Sequence, residues 1–216
     1  MSTVWMETDL PQINKVLKKL TADTSCIKME RMGGMTNHSY HVLMDNGENL
    51  AVRLPGDGTE KLICRPDEKV STELACSLDI DSDLLYFGED GTKVSKYIED
   101  AVTMSPESMR KKENILQAAG ILKALHTCGA DTKVPFEVFD MAANYEKIVM
   151  GNKVPLYMDY PNIKSKVMEI KDSIDRLTGV KKVPCHNDPL CENWVMGKDG
   201  LYLIDWEYAG MNDGMW

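Results

Sequence analysis

Asp188, Asn193 and Asp205 are the side chains in this chain best placed to do chemistry. Asn193 follows Asp188 by five residues in the stretch Cys185-His186-Asn187-Asp188-Pro189-Leu190-Cys191-Glu192-Asn193. Asp205 ends the apolar run Leu203-Ile204, seventeen residues after Asp188. Two carboxylates and an amide oxygen are hard donors, suited to magnesium and to taking a proton from a hydroxyl. An Asp, an Asn and a second Asp in this order suit phosphoryl transfer, which depends on positioning and charge neutralisation more than on covalent chemistry. The alternative reading is a loop of turn-forming polar residues ahead of a strand.

The elements that must hold these residues fall into two groups. Residues 9–20 predict a short amphipathic helix, with Ile13, Val16, Leu17 and Leu20 on one face and lysines toward its C-terminal end. Three strands are expected at Cys26–Met32, Ser39–Asp45 and Asn49–Leu54, the last two joined at the hairpin turn Asp45-Asn46-Gly47. A helix over Pro66–Leu78 follows, then a hairpin from Leu84–Phe87 and Lys93–Ile98 around Glu89-Asp90-Gly91. From Ser105 the pattern turns helical, opening with an N-cap serine, a proline at the first helical position and an acidic first turn. Further helices are expected at about 136–150 and 162–177. Short strands between Val183 and Val195 and over Leu201–Ile204 frame the two acidic loops. The reading is a β-rich unit over 1–96, a linker at 97–104 and an α-rich unit over 105–216.

Composition sets bounds. The chain has 216 residues, 43% of them hydrophobic and 27% charged, enough for one large domain or two packed lobes. A net charge of −9 excludes a general nucleic-acid binder, which needs a basic stripe, but not a nucleotide site. No apolar run approaches the ~20 residues needed to cross a bilayer. Residues 1–9 are polar and acidic and lack a signal peptide's layout, so the cytoplasm is the expected compartment. The six cysteines form no C-x-x-C pair and are expected as reduced, mostly buried thiols. Cys185, His186 and Cys191 lack a fourth zinc ligand and a finger spacing.

The two acidic loops, read with the strand–strand–strand–helix opening, resemble the kinase-like small-molecule phosphotransferases, and among them the choline/ethanolamine kinases of the bacterial branch. Carrying the likeness are Gly33-Gly34-Met35-Thr36-Asn37-His38-Ser39-Tyr40, Leu50-Ala51-Val52-Arg53-Leu54-Pro55-Gly56, the His186–Asn193 loop and Ile204-Asp205-Trp206-Glu207-Tyr208-Ala209-Gly210-Met211-Asn212-Asp213. The resemblance runs from residue 26 to the end. It implies a protein-kinase-like two-lobe α+β fold, C-terminally short, since family members continue past this point with a helical segment carrying much of the alcohol pocket. ATP and magnesium are the implied cofactors, and a small amino alcohol, choline before ethanolamine, the implied substrate.

Residue by residue, the resemblance implies Asp188 as the base that takes the acceptor's proton, with Asn193 and Asp205 as magnesium ligands. Gly33 and Gly34 would let the backbone approach phosphate, with Thr36, Asn37 and Ser39 adding donors; alone, such a pair is more often a plain hairpin turn than a nucleotide loop. Arg53 takes the place of the kinase cation on the third strand, where its fork suits phosphate. Its implied anchor is Glu73, with Glu68 five residues earlier on the same segment as the alternative. Tyr97 and Ile98 match the adenine-binding hinge, although both could equally be core. Glu207 is a secondary candidate on the substrate or metal side, and Trp206 and Tyr208 are candidates for holding an ammonium group. His186 and His126 are expected to brace the structure. His38 and His41 lie three apart on a strand and so point to opposite faces. An aminoglycoside kinase of the same fold and a catalytically inactive nucleotide-binding remnant are the competing readings.

Overall fold

The computed structural model describes residues 4–20, 25–34, 37–176 and 179–215. Its first half is a five-stranded antiparallel sheet in the order β1-β2-β3-β5-β4, from β1 (Cys26–Arg31), β2 (His38–Met44), β3 (Asn49–Leu54), β4 (Leu84–Phe87) and β5 (Lys93–Lys96). Alternation puts Tyr40, Val42 and Met44 of β2 and Leu50, Val52 and Leu54 of β3 into one core with Val94. Helix α1 (Val4–Leu20) lays Ile13, Val16 and Leu17 onto that core. This helix starts five residues earlier than its periodicity predicts and runs through Pro11. Proline removes one helical hydrogen bond, but burial of the apolar stripe sustains the helix across the gap.

Helix α2 (Arg65–Ser77) follows β3. It buries residues 65, 68, 71, 72 and 75, a spacing of three and four that defines one helical face.

The second half is mostly helical. Ser105 caps α3 (Pro106–Met109) by accepting from the Ser108 amide, and the Ser108 hydroxyl answers from the Ser105 amide. Helices α4 (Lys112–Thr127), α5 (Val138–Gly151) and α6 (Tyr160–Asp175) follow. Two small β-structures then carry the acidic loops. One is the sheet β6-β8-β9 (Val102–Thr103, Trp194–Gly197, Gly200–Leu203); the other pairs β7 (Lys182–Cys185) with β10 (Gly210–Asp213). Neither β6, inside the expected linker, nor β10 shows in the sequence pattern, since runs of two and four residues are too short to carry a periodicity. A second core gathers Ala75 and Ile80 with Leu125, Trp194, Leu203 and Trp206, and so joins the two halves.

Only Cys185 of the six cysteines is buried, against the expectation of mostly buried thiols. The other five sit at or near element ends: Cys26 opens β1, Cys64 caps α2, Cys76 lies in the last turn of α2, Cys128 caps α4 and Cys191 opens a 3-10 turn. All six are free. Among the described residues, no helix is long and apolar enough to cross a membrane.

Candidate active site

The loop after β7 is organised around a buried histidine. The Nε2 of His186 bonds the Ile204 carbonyl at 2.9 Å, and its Nδ1 accepts from the Asp188 amide at 3.3 Å. Those two bonds require a neutral ring protonated on Nε2, and burial holds its pKa below the ordinary value. The ring meets Trp206 edge-on, with centroids 4.8 Å apart. Asn187 adopts a left-handed backbone at φ 64°, which asparagine tolerates. Its side chain donates to the Tyr208 carbonyl at 2.9 Å and accepts from Asn212 at 3.0 Å, stitching this loop to the one before β10.

Asp188 and Asn193 are joined directly. The Asn193 Nδ2 donates to the Asp188 carbonyl at 2.9 Å and lies 3.5 Å from its carboxylate. That commits the amide nitrogen and, among the described residues, leaves Oδ1 without a donor. The Ile204 amide donates to the Asn193 carbonyl at 2.9 Å, which places Asp205 beside Asn193. Asp205 itself is left-handed, at φ 69°, a backbone strain of roughly 1–3 kcal/mol that functional loops often store. Burial first, and then the charge of Asp205, pushes the Asp188 carboxyl above its ordinary pKa, while the Asn193 hydrogen bond pulls the other way.

Arg53 reaches this pair from β3. Its Nη1 lies 2.5 Å from Glu68 and 3.5 Å from Asp205, and its Nη2 donates to the Gly91 carbonyl at 3.1 Å. The guanidinium is buried, and among the described residues its Nε has no hydrogen-bond partner. Burial opposes the charge, but Glu68, Asp205 and Glu207 together hold it. A buried cation with an unspent donor, next to a carboxylate and a free amide oxygen, fits a magnesium-bound polyphosphate. Magnesium takes oxygen ligands and is commonly held by one or two protein groups together with phosphates. Asn193 and Asp205 are the residues that would hold it.

The partner of Arg53 is Glu68, not Glu73. Glu73 is 54% exposed and lies 3.7 Å from Lys69. At 3.6 residues per turn, five positions rotate a side chain by about 140°, so only one of the two glutamates can face the sheet. Because α2 buries positions 65, 68, 72 and 75, that glutamate is Glu68.

Sequence reasoning missed Arg65. Its Nη1 donates to Glu68 at 2.6 Å, its Nη2 donates to Thr59 at 2.7 Å, and Glu207 lies 3.7 Å away. Glu68 therefore sits between two guanidiniums. Burial raises its pKa, but the charge of Arg53 and the bonds from both arginines outweigh this and hold it below the usual glutamate range. An arginine three residues before a glutamate on a helix was the available signal. Gly91 belongs to the same cluster. At φ 89°, a Cβ there would fall 2.5 Å from the Arg65 Nε.

The other expected site residues separate. Gly34 approaches the chain so closely that a Cβ would fall 2.7 Å from the Asn37 carbonyl oxygen, whereas Gly33 faces open space. Asn37 is buried and stands 3.5 Å from Glu207, tying the glycine turn to the acidic loop. Ser39 lies opposite Arg53 across β2 and β3, hence on the same sheet face. Thr36 lies outside the described residues. Tyr97 donates its amide to Asn49 at 3.0 Å and stacks on His41 at 3.8 Å, so its ring is committed to packing. Ile98 packs against Gly197, where a Cβ would fall 2.4 Å from its Cγ2.

Trp206 corrects the sequence reading. It is 1% exposed, its indole donates to the Leu203 carbonyl at 3.0 Å, and it belongs to the second core, out of reach of a ligand. Glu207 is nearly buried, and burial followed by the Asp205 charge raises its carboxyl. The Tyr208 phenol is pushed up to about 12 by burial, with the nearby Tyr145 and Glu207 adding to it.

Residues 29–214 match the family described as choline/ethanolamine kinase. The chain belongs to that family. It is 28% identical over 200 residues to protein LicA of Haemophilus influenzae, covering 87% of this chain and 55% of that one. It is 27% identical to ethanolamine kinase 2 of Mus musculus, covering 83% of this chain and 48% of that protein. The solved choline kinase LicA of Streptococcus pneumoniae superposes with a TM-score of 0.79 at 36% identity, over 94% of this chain and 71% of that one. An aminoglycoside phosphotransferase shares the kinase-like fold, at a TM-score of 0.62 and 17% identity, over 94% of this chain and 72% of that one. The chain thus spans about half the length of these curated family members.

Proposed function

We propose that this chain works as an ATP- and magnesium-dependent kinase that phosphorylates the hydroxyl of a small amino alcohol, choline first and ethanolamine second. The observation that carries the reading is the convergence of Asp188, Asn193 and Asp205 on the buried Arg53–Glu68 pair, within a choline/ethanolamine kinase family chain. Arg53 comes from the unit expected over 1–96 and Asp188, Asn193 and Asp205 from that over 105–216, so we take the nucleotide cleft to lie between them, with 97–104 as hinge. We take the cytoplasm, where ATP is at hand, as the compartment of this work.

Arg53 binds and orients the phosphates, kept in one rotamer by Glu68 and the Gly91 carbonyl. Asn193 and Asp205 would hold magnesium, which when bound would neutralise the phosphate oxygens. Asp188 orients the acceptor hydroxyl and takes its proton as the acceptor oxygen bonds the γ-phosphorus, the bond to the β-phosphate breaks and ADP leaves. Its raised pKa makes it a better base than a fully solvated aspartate. Tyr208, with Tyr145 and Glu207 beside it, supports a cationic acceptor through ring faces and carboxylate charge.

The test is a panel of choline, ethanolamine and an aminoglycoside, each with magnesium and ATP, read by ADP release. Turnover on choline or ethanolamine supports the reading. Turnover confined to the aminoglycoside would move the substrate class. Nucleotide binding without turnover on any acceptor would mean a binding fold.

A further inference from the structure

Helix α1 lies wholly before residue 29, outside the part of the chain that the family match covers. Two of its side chains nevertheless reach the two turns that border the Arg53 cleft. Asp9 Oδ2 lies 2.7 Å from the His38 Nδ1 and accepts from the Tyr40 hydroxyl at 2.5 Å. His38 opens β2 and directly follows Asn37, the residue that closes the glycine turn and contacts Glu207. One turn along the helix, the Gln12 Nε2 donates to Asp90 at 3.2 Å and to Thr92 at 3.1 Å. Those residues flank Gly91, whose carbonyl holds Arg53.

The spacing adds to the case. Positions 9, 12, 13 and 16 follow one helical face, so Asp9 and Gln12 continue the stripe that buries Ile13 and Val16. For docking alone, apolar residues would serve at its edge. Instead the stripe carries an acid and an amide with named partners in the sheet. Burial would raise the Asp9 carboxyl, but its bonds from Tyr40 and His38 outweigh this and keep it ionised.

We infer that α1 is a clamp on the nucleotide cleft, in which Asp9 and Gln12 are positioning residues. Asp9 fixes the start of β2 behind the glycine turn, and Gln12 fixes the β4–β5 turn that orients Arg53. The inference rests on the proposed nucleotide-binding reading of the cleft for its kinetic consequence, but not for its structural one.

The test uses Asp9→Ala, Asp9→Asn and Gln12→Ala, with Ile13→Val as a control that loosens the core and touches neither turn. Amide exchange is read first, without any ligand. The Met32 amide bonds Ser39 at 2.8 Å beside the glycine turn, and the Gly88 amide bonds Thr92 at 2.8 Å in the β4–β5 turn. Asp9→Ala should speed exchange at Met32 and spare Gly88, and Gln12→Ala should do the reverse. Asp9→Asn, which keeps an acceptor oxygen, should largely restore protection.

In kinetics, the two alanine variants should raise KM for ATP by about fivefold or more, as misplaced positioning groups do, with kcat and the acceptor KM within about twofold. Ile13→Val should lower Tm and leave KM for ATP unchanged. The clamp is overturned if both turns exchange alike in each variant, or if Ile13→Val shifts KM as much as Gln12→Ala. Should Asp9→Ala not fold, Gln12→Ala, at an exposed position, carries the test alone. A wild-type protein that binds no ATP would sink the functional reading while the exchange pattern still decides the clamp.

Discussion

Replacing Glu68 with glutamine should damage this protein far more than the same change at Glu73. Glu68 is fully buried between Arg53 at 2.5 Å and Arg65 at 2.6 Å. With charge centres about 4 Å apart and an effective dielectric near 20, each pair is worth roughly 4 kcal/mol before desolvation. Desolvation of the carboxylate cancels several kcal/mol of that, and removing one partner of a buried pair typically costs about 3–5 kcal/mol. Glutamine keeps one acceptor oxygen, so about 3 kcal/mol is the expected loss, or roughly 6–12 °C in Tm for a chain of this size. Arg53 would then lean on Asp205, its remaining acid at 3.5 Å, and compete with the metal. KM for ATP should rise at least tenfold, equivalent to about 1.4 kcal/mol.

Glu73→Gln, at a solvent-facing site, should stay within about 0.5 kcal/mol with unchanged kinetics. The assays are thermal melts and ATP-dependent initial rates on both variants. Because the folded pKa of Glu68 is lowered, its stabilisation is present above the ordinary glutamate value of 4.5 and is lost as pH falls through the lower folded value. The wild-type advantage in Tm should shrink accordingly in acid. Equal damage from the two substitutions, or a wild-type KM in Glu68→Gln, would refute the pairing.

Other consequences are as sharp. Asp188→Asn should cut turnover by about 10²–10⁴, yet raise Tm at pH 7. The folded pKa of Asp188 is raised, so its contribution to stability is present below the ordinary value of 3.8 and lost as pH climbs past the folded one, which makes the charged form a net cost at neutrality. Asp205→Asn should abolish magnesium-dependent nucleotide binding by calorimetry. In the same variant, the carbon-detected titration of Asp188 should move down without reaching 3.8, because burial is the larger cause of its shift. Gly91→Ala should cost about 2 kcal/mol or more by denaturant melts, since it combines a left-handed backbone with a clash against the pinned Arg65.

Much of this architecture is legible in the residues themselves, for identifiable reasons. The strands over Asn49–Leu54 and Leu84–Phe87 are short, largely apolar runs near turn residues, and their bounds agree with the pattern. The adjacency of Asp188, Asn193 and Asp205 is legible because they sit on short loops, where spacing along the chain fixes spacing in space. Glu68 and Trp206 were harder, because which helical face is buried and which aromatic fills the core depend on tertiary packing. Arg65 was harder for the same reason: its spacing to Glu68 on α2 was a signal, but its partners Thr59 and Glu207 come from separate segments. Helices α5 and α6 read correctly as helices although neither buries a residue fully, since apolar periodicity reports the helix and not what covers it.

The central claim is that one carboxylate, at position 188, takes the proton of an amino alcohol while phosphate crosses from ATP. Phosphorus NMR of the wild-type chain and of Asp188→Asn, each with ATP, magnesium and choline, tests it most directly. The account predicts a growing phosphocholine resonance with the first protein and one that grows at least about a hundredfold more slowly with the second. Phosphocholine formed at equal rates by both would contradict it.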